Sequence, residues 1–360
     1  MRILHFVPDI GVANGVMSVV LNYFRAMPED IKFDVMYFKE CERDRRADIE
    51  ALGGRVFKMN TPGINSFVSS ELDGFFEEHR DEYAAVHIHA PYMTCLIAPK
   101  AKKHGIKKAA AHCHSTLFSL NPDNLRRNRL LNMPTRFLAD KLFACGREAG
   151  RYWYGKDSRF TVLPNAIDCA AYAFSSERRS AAREKLGIDP DTLVIGHVGV
   201  TNPPLKNHPY LLRVFAEIKK TRPDAVLLMA GAEATDELGE LADRLGISDS
   251  ARFLGRRSDI PQLLCAMDAF IFPSLREGLP VSVVEAQAAG LPVLMSDTVT
   301  DEVCITDNIK RLSIDADPAD WAKEIEKVPD GPRAAAFEKV RECGWDIADC
   351  ANTLVEFYER

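Results

Sequence analysis

Two glutamates with seven residues between them, Glu277 and Glu285, are the side chains whose placement points most directly to chemistry. A short apolar run of strand type, 267–272, precedes them, and a second one, 291–295, follows. The sequence here therefore predicts a strand, a glycine-containing turn, a helix and a strand, which is a βαβ unit. Glutamate pairs on helices are also common on solvated surfaces, so the spacing alone leaves both interpretations open.

The start of the predicted helix is where the two carboxylates could act together. Pro280 fits the first helical turn, and Gly290 fits the helix end. A helix N-terminus presents unpaired N–H groups and a partial positive charge, which suits a phosphate. Glu277 would stand at the mouth of this phosphate site. Glu285 lies about a turn and a half into the helix and can project toward the same place.

The phrase from Glu277 to Asp297, EGLPVSVVEAQAAGLPVLMSD, resembles the E-x7-E signature of retaining glycosyltransferases of the GT-B fold, sequence family 4. It is most similar to the bacterial exopolysaccharide and capsule branch of that family. The segments 146–155 and 162–168 also resemble family phrases. The resemblance covers nearly the whole chain and is strongest from 193 to 306.

Strand and helix patterns alternate along the chain, which indicates an α/β fold with parallel sheets. The resemblance implies the GT-B arrangement, in which two Rossmann-like, doubly wound parallel-sheet domains face a cleft and a C-terminal helix crosses back to the N-terminal domain. Residues 1–168 with 345–360 are therefore expected to form an acceptor-side domain. Residues 191–344 are expected to bind the nucleotide sugar, and 169–190 to be a linker that contains a short basic helix.

The resemblance also implies roles for residues 277–285. Glu277 would hold hydroxyls of the donor sugar and balance positive charge on its ring in an oxocarbenium-like transition state. Glu285 would accept hydrogen bonds from both ribose hydroxyls, as carboxylates do in nucleotide sites. The backbone amides of Val281 and Ser282 would meet the phosphates, and Leu279 would also line the donor site.

Four positions outside that motif carry over from the family. Gly255 and Arg256 match where relatives meet the base, and Gly15 offers a backbone that the donor can approach closely. Relatives often have a glutamate in the first loop where Met17 stands, so no acidic role is implied there. His114 follows a predicted strand, where open α/β sheets bind ligands. The resemblance places it beside the reacting sugar, to position donor and acceptor or to help in proton transfer.

The leaving diphosphate requires positive charge. GT-B enzymes supply it with cationic side chains and helix N-termini, and Lys206, ahead of a predicted helix start, is the expected cation. Relatives carry an arginine where this chain has Val200, and Arg276, beside Glu277, is the hypothesised substitute. The Asp-x-Asp string at 315–317 resembles the metal-binding motif of another glycosyltransferase fold, but it precedes a proline in a late loop. No metal or other cofactor is expected.

Composition limits the possible functions. The 360 residues are 46% hydrophobic, and none of the apolar runs reaches the ~18 residues that a membrane-spanning helix requires. The net charge of −6 argues against nucleic acid as a partner. Nine cysteines without C-x-x-C pairs predict reduced thiols and a cytoplasmic location. Adjacent strand residues point to opposite faces, so His112-Cys113-His114 is not expected to bind a metal.

One region is strongly basic. From 97 to 160 the chain carries fourteen Lys and Arg against four Asp and Glu, a local net charge of +10. Residues 117–137 are also amphipathic, with four candidate apolar anchors: Leu125, Leu130, Leu131 and Phe137. This pattern fits a patch for anionic lipid head groups or a lipid-diphosphate acceptor, peripheral on the inner face of the plasma membrane. A solvated basic face, and core packing of the same leucines, are the alternatives.

The sequence therefore predicts a cytoplasmic enzyme that moves a sugar from a nucleotide donor, expected to be UDP-linked, to a lipid-linked or growing surface-polysaccharide acceptor. Two alternatives stay open. A nucleotide-sugar 2-epimerase shares the fold but lacks the E-x7-E phrase in this setting. A catalytically degenerate partner subunit that binds sugar nucleotide would be consistent with Val200 and Met17.

Overall fold

The computed structural model describes residues 1–12, 14–60, 70–119, 121–201, 204–325, 327, 333 and 335–359. The chain divides into two compact units, Met1–Ala166 together with Ile347–Arg360, and Ile167–Asp346. Each unit has a parallel β-sheet accompanied by helices, which is the Rossmann-like architecture. The predicted α/β fold with two such domains is confirmed.

In the described residues of the first unit, the sheet has seven parallel strands: β1 (Arg2–Phe6), β2 (Lys32–Tyr37), β3 (Val56–Lys58), β4 (Tyr83–Ile88), β5 (Lys108–Cys113), β6 (Lys141–Ala144) and β7 (Thr161–Val162). Across the sheet the order is β3-β2-β1-β4-β5-β6-β7. The strand order reverses between β1 and β4, and open α/β sheets bind ligands at the carboxyl ends of the strands at such a point.

The helices of the first unit are α1 (Gly15–Ala26), α2 (Arg46–Ala51), α3 (Glu71–Glu78), α4 (Thr94–Lys103), α5 (Pro122–Asn132), α6 (Thr135–Leu138), α7 (Arg147–Tyr154) and the last helix of the chain, Ile347–Glu359. This last helix is part of the first unit, as the fold prediction required. Its Leu354 and Tyr358 are buried in the same apolar cluster as Phe24 of α1 and Phe33 of β2.

In the described part of the second unit, six parallel strands form the sheet: β8 (Val194–Val198), β9 (Val226–Ala230), β10 (Ala251–Phe253), β11 (Ala269–Phe272), β12 (Val293–Ser296) and β13 (Ile309–Leu312). The order is β10-β9-β8-β11-β12-β13. Here the strand order reverses between β8 and β11, which pair directly. β9, β11 and β12 are buried throughout, which explains why they read as continuous apolar runs.

The helices of the second unit are α8 (Ser176–Leu186), α9 (His208–Thr221), α10 (Asp236–Leu245), α11 (Ile260–Ala266), α12 (Val281–Ala288), α13 (Pro318–Ile325) and α14 (Ala336–Val340); the last helix of the chain is α15. The stretch 169–190, expected to be a linker, includes α8. The Nη2 atoms of Arg179 and Arg183 bond the two carboxylate oxygens of Asp268 at 2.6 and 2.7 Å. These ion pairs fix α8 to the sheet of this unit.

Two details concern the helices. Asn207 occupies the N-cap position of α9, but its backbone is left-handed, with φ of 55°, and its side chain makes no capping hydrogen bond. Within the described residues, none of the helices is long and apolar enough to span a membrane.

Candidate active site

The tip of α12 lies at the carboxyl end of the central strand β11. Pro280 stands at its N-cap position, makes no capping hydrogen bond with its side chain, and is followed by a first turn without an acidic residue. The positive end of the helix is therefore not compensated by its own sequence. Val281 and Ser282 form the first turn and are half-buried, while Leu279 is buried. This helix tip has the properties of an anion site.

The structure brings Lys206 and Glu277 together although 71 positions separate them. Lys206 Nζ lies 2.7 Å from Glu277 Oε1, with side-chain exposures of 18% and 16%. The two residues follow β8 and β11, which are neighbours in the sheet, so their loops meet at the same edge. Ser274 Oγ lies 2.6 Å from the same carboxylate oxygen. An ammonium and a hydroxyl thus orient Glu277, which sequence reasoning had not connected to Ser274.

Gly199 makes room for Lys206, and Gly231 makes room for Gly199. A Cβ on Gly199 would lie 2.9 Å from Lys206 Cγ, so any side chain there would displace the lysine. Gly231, with φ of +83°, lies so close that a Cβ on it would be 3.1 Å from the Gly199 carbonyl oxygen. The Lys206 ammonium also stands 4.7 Å from the centre of the Phe272 ring, a favourable cation–π distance.

Glu285 is half-buried on α12 and accepts a hydrogen bond of 2.7 Å from the Tyr172 hydroxyl. Burial raises the pKa of Glu285 to about 6, and the Tyr172 hydrogen bond opposes this rise. The carboxylate is therefore ionised at neutral pH but titrates in the range where histidines normally do. Tyr172 was missed by the sequence analysis, because it lies in the stretch expected to be a linker and belongs to none of the recognised motifs.

The remaining predicted residues of the second unit differ in exposure. Gly255 follows β10 with φ of +57° and exchanges backbone hydrogen bonds with the loop after β9, accepting from Gly231 at 2.6 Å and donating to Ala232 at 2.9 Å. This tethers it to the same sheet edge as Gly199. Arg256 and Arg276 are both exposed.

In the Asp-x-Asp string, Asp317 accepts a hydrogen bond of 2.8 Å from the Ala319 backbone at the start of α13.

Gly15 is the first residue of α1, and the side chain of Asn14 accepts a hydrogen bond of 2.9 Å from the Val16 backbone at this helix start. A Cβ on Gly15 would meet no atom within 4 Å, so the protein itself does not require glycine there. Met17 is fully buried, so an acidic residue at this position could not serve the loop without a large desolvation cost.

His114 follows β5 and is half-buried, with its Nε2 atom 2.8 Å from Nδ1 of His89. Burial lowers the pKa of His114 to about 4, and a hydrogen bond with Asn165 opposes this shift. The ring is therefore neutral at physiological pH. The Nδ1 atom of His87, in β4, lies 2.6 Å from the Tyr358 hydroxyl.

Part of the basic region forms α5 and α6, where three large apolar side chains are exposed. Leu130 lies in α5, Met133 between the two helices and Phe137 in α6, with 66%, 67% and 74% of their surface exposed. Of the candidate anchors, Leu130 and Phe137 are thus exposed, while Leu125 and Leu131 are half-buried. A cavity of about 280 Å³ opens beside them and is lined by Phe118, Arg129, Asn132, Met133, Arg136, Tyr152, Trp153, Tyr154 and Gly155.

Comparison with other sequences places this geometry in context. Residues 178–342 match the family model described as glycosyl transferases group 1. The chain is 30% identical over 374 residues to EpsF of Bacillus subtilis (strain 168), whose name describes a glycosyltransferase, and this alignment covers 99% of the chain and 96% of EpsF. It is 35% identical over 194 residues to a D-inositol 3-phosphate glycosyltransferase of Mycobacterium sp. (strain KMS), covering 50% of the chain and 43% of that protein.

Solved structures show the same fold. HepE of Anabaena in complex with UDP superimposes with a TM-score of 0.80 at 18% identity and covers 99% of both chains. HepE in complex with UDP and glucose gives a TM-score of 0.78 at 19% identity, covering 99% of this chain and 98% of HepE.

Proposed function

Because the chain belongs to the group 1 glycosyl transferases, a family of the GT-B type, we propose that it transfers a sugar from a UDP-sugar to a glycan or lipid-linked acceptor of a surface polysaccharide. Membership makes the chain a glycosyltransferase, whereas the UDP donor, the acceptor class, retention of anomeric configuration as in family 4, and independence of metal are proposed. The observation that carries the proposal is the contact between Lys206 and Glu277 at the start of α12.

The contact places a positive and a negative side chain side by side, which suits the two parts of a nucleotide sugar that gain opposite charges during transfer. The departing diphosphate gains negative charge in the transition state, and Lys206 together with the N-terminus of α12 would stabilise it. The sugar ring gains positive charge as its bond to the phosphate stretches, and Glu277 would balance that charge. Since a protein cation and a helix dipole meet the phosphate charge, a metal is not needed for this step.

The nucleoside half of the donor would extend from α12 toward β10. Glu285 is ionised at neutral pH and would accept hydrogen bonds from the ribose hydroxyls, while Gly255 and Arg256 would meet the base. The choice of UDP is supported by the Anabaena HepE complexes, which share the fold.

The proposed function is tested by ligand-induced stabilisation followed by turnover. A UDP-sugar at about 100 times its dissociation constant should add ~2.7 kcal/mol to the free energy of unfolding. Other nucleotide sugars at the same concentration should add less, because they bind more weakly. UDP release should then require an acceptor. Isomerised donor without UDP release would identify an epimerase. Binding without any turnover, across lipid-linked and glycan acceptors, would identify a degenerate subunit.

Arg276 is proposed to replace the arginine that relatives carry where this chain has Val200. It is exposed and adjacent in sequence to Glu277, so its long side chain can reach the diphosphate. Arg276→Ala should lower kcat at least tenfold, because the leaving diphosphate would lose a charged hydrogen-bond donor. Arg244→Ala, which removes an exposed arginine from α10, is the control. Unchanged kinetics for Arg276→Ala would reject the proposal.

We also propose that α5 and α6 contact an anionic membrane, which would place the enzyme peripherally on the cytoplasmic face. The exposed Met133 and Phe137 offer apolar insertion, and the surrounding lysines and arginines offer attraction to anionic head groups. The cavity beside them, with Arg129 and Arg136, would then receive the charged group of a lipid-linked acceptor.

Phe137→Ser is expected to weaken binding to vesicles of anionic phospholipid roughly tenfold, since burying one phenylalanine contributes about 1.5–3 kcal/mol. Vesicle sedimentation measures this, and Val162→Ser, at another exposed apolar residue of the same unit, is the control. Membrane contact through this surface would be contradicted if wild type and Phe137→Ser bound anionic vesicles equally. It would also be contradicted if wild type bound neutral and anionic vesicles equally.

A further inference from the structure

Five histidines line one face of the central strands of the first unit. One lies in each of β1, β4 and β5, and one more comes two residues later after β4 and after β5. His5 pairs with His87 in the sheet register, so the rings project to the same side. Four are buried and the last is half-buried: His5, His87, His89, His112 and His114. Imidazoles inside a protein core are costly unless each ring nitrogen has a partner.

Three of these rings are joined end to end. His5 Nδ1 lies 2.9 Å from His89 Nε2, and His89 Nδ1 lies 2.8 Å from His114 Nε2. A neutral imidazole has one N–H donor and one acceptor nitrogen, so each contact must have one donor. The proton positions along the chain are therefore coupled, and deciding one decides the others.

His5, at the buried end of this row of hydrogen-bonded imidazoles, determines which nitrogen of each ring donates. His5 Nε2 has no hydrogen-bond partner among the described residues, and the His5 ring packs against Phe33 with centroids 4.0 Å apart. A proton on Nε2 would be a buried N–H without an acceptor, which costs about 1–3 kcal/mol and is rarer than an unpaired acceptor. The proton of His5 therefore lies on Nδ1 and is donated to His89 Nε2. His89 must then donate from Nδ1 to His114.

We infer that His5, His89 and His114 form a directed hydrogen-bond chain in which every ring carries its proton on Nδ1, and that the chain ends on the Asn165 amide oxygen. Nδ1 of His114 is a buried atom, so a proton on it requires an acceptor. Asn165 acts on His114 in the direction of a higher pKa, as an amide oxygen does when it accepts an N–H.

This arrangement, which rests on the proposed function, assigns His114 a positioning role. Both of its nitrogens are engaged, Nε2 as an acceptor and Nδ1 as a donor, so neither is free to exchange a proton with the acceptor hydroxyl. Of the two roles that the family resemblance left open, positioning is favoured over proton transfer. His5 and His89 become positioning residues that hold the ring of His114 in one orientation.

A metal is the competing explanation for clustered histidines, since His5, His87 and His89, and also His89, His112 and His114, each offer three nitrogens within 4.8 Å of one another. A metal ligand must point an in-plane lone pair at the ion. The rings of His87 and His89 stack at 4.5 Å with an interplanar angle of 1°, and those of His112 and His114 lie 4.0 Å apart. Stacked rings direct their lone pairs side by side and not toward one point between them, so this arrangement does not suit a shared ion.

The proton positions are measurable by long-range ¹H–¹⁵N correlation on the full chain labelled at histidine, near neutral pH and without donor. Single variants assign the signals, and His79→Gln, at a histidine outside the cluster that is hydrogen-bonded to Glu82, is the control. The expected result is Nδ1–H tautomers for His5, His89 and His114. Nε2–H tautomers at His89 and His114 would overturn the chain, and so would a stoichiometric metal in the purified protein.

Substitutions of His5 distinguish a hydrogen-bonding role of this residue from a role in packing alone. His5→Asn keeps a donor near the position of Nδ1 and should retain the tautomers of His89 and His114, with kcat/KM within threefold of wild type. His5→Leu fills similar space without a donor and should lose the tautomer pattern and at least fivefold of kcat/KM. Equal spectra for both variants would overturn the inference. The spectra do not depend on turnover, so an inactive protein with the expected tautomers would refute only the proposed function.

Discussion

Replacing Lys206 with methionine is expected to lower kcat by roughly 100- to 1,000-fold, the effect of removing one preorganised donor from a developing oxyanion. Methionine keeps the length of the side chain and the space left by Gly199, so the change removes charge with little change in packing. The measurement is UDP release under saturating donor and acceptor. Lys220→Met, at an exposed lysine paired with Glu217 on α9, should leave kcat unchanged.

The pair with Glu277 allows a second interpretation of such a loss, because Lys206→Met leaves a carboxylate without its cation. The double variant Lys206→Met, Glu277→Gln distinguishes the two causes. If Lys206 served only to neutralise Glu277, the double variant would recover most of the activity. We expect it to be at least as impaired as Lys206→Met, since each side chain acts on a different part of the donor.

Glu285→Gln is expected to weaken UDP binding while stabilising the protein above neutral pH. An ionised carboxylate that accepts hydrogen bonds contributes about 1.5–3 kcal/mol per bond, so affinity for UDP should fall at least tenfold. Isothermal titration at about pH 8 measures this loss. Glu240→Gln, on the exposed face of α10, should bind UDP as wild type does.

The stability effect follows from the pKa of Glu285, which is about 6 in the folded protein against an ordinary value of 4.5. A carboxyl whose pKa is higher in the folded state stabilises the fold fully below pH 4.5, and this contribution is lost as the pH rises through 6. Each pKa unit corresponds to about 1.4 kcal/mol, so wild type should lose up to about 2 kcal/mol of unfolding free energy from this group.

Glutamine does not titrate, so the variant should escape that loss. Its free energy of unfolding relative to wild type should rise by up to about 2 kcal/mol from pH 4.5 to pH 8, as followed by urea denaturation at each pH. A pH-independent difference would show that Glu285 is not desolvated. Unchanged UDP affinity together with the expected stability change would leave Glu285 as a buried carboxylate without a role in nucleotide binding.

Much of the fold was predictable because its signals are local. Pro280 and Gly290 mark the two ends of α12, and the apolar runs on either side identify β11 and β12 as buried strands. The stretch 169–190 was expected to be a linker with a short basic helix, and only the structure shows that Arg179 and Arg183 of that helix pair with Asp268.

The partners of the site residues were not predictable in the same way. Ser274 beside Glu277, Tyr172 against Glu285, and the chain from His5 to His114 all depend on which strands become neighbours. Strand order is a property of the whole sheet, and residues far apart in sequence, such as Tyr172 and Glu285, carry no local pattern that joins them.

The amino-acid sequence by itself determined the alternation of strands and helices, the tip of α12 and the two glutamates beside it, because short-range periodicity and end-capping residues specify such features. Only the tertiary structure decided that Lys206 meets Glu277, that Tyr172 holds Glu285, and that five imidazoles share one core. The physical reason is that hydrogen bonding, desolvation and charge pairing act through distance in space, and the pairing of β8 with β11 and of β1 with β4 sets those distances.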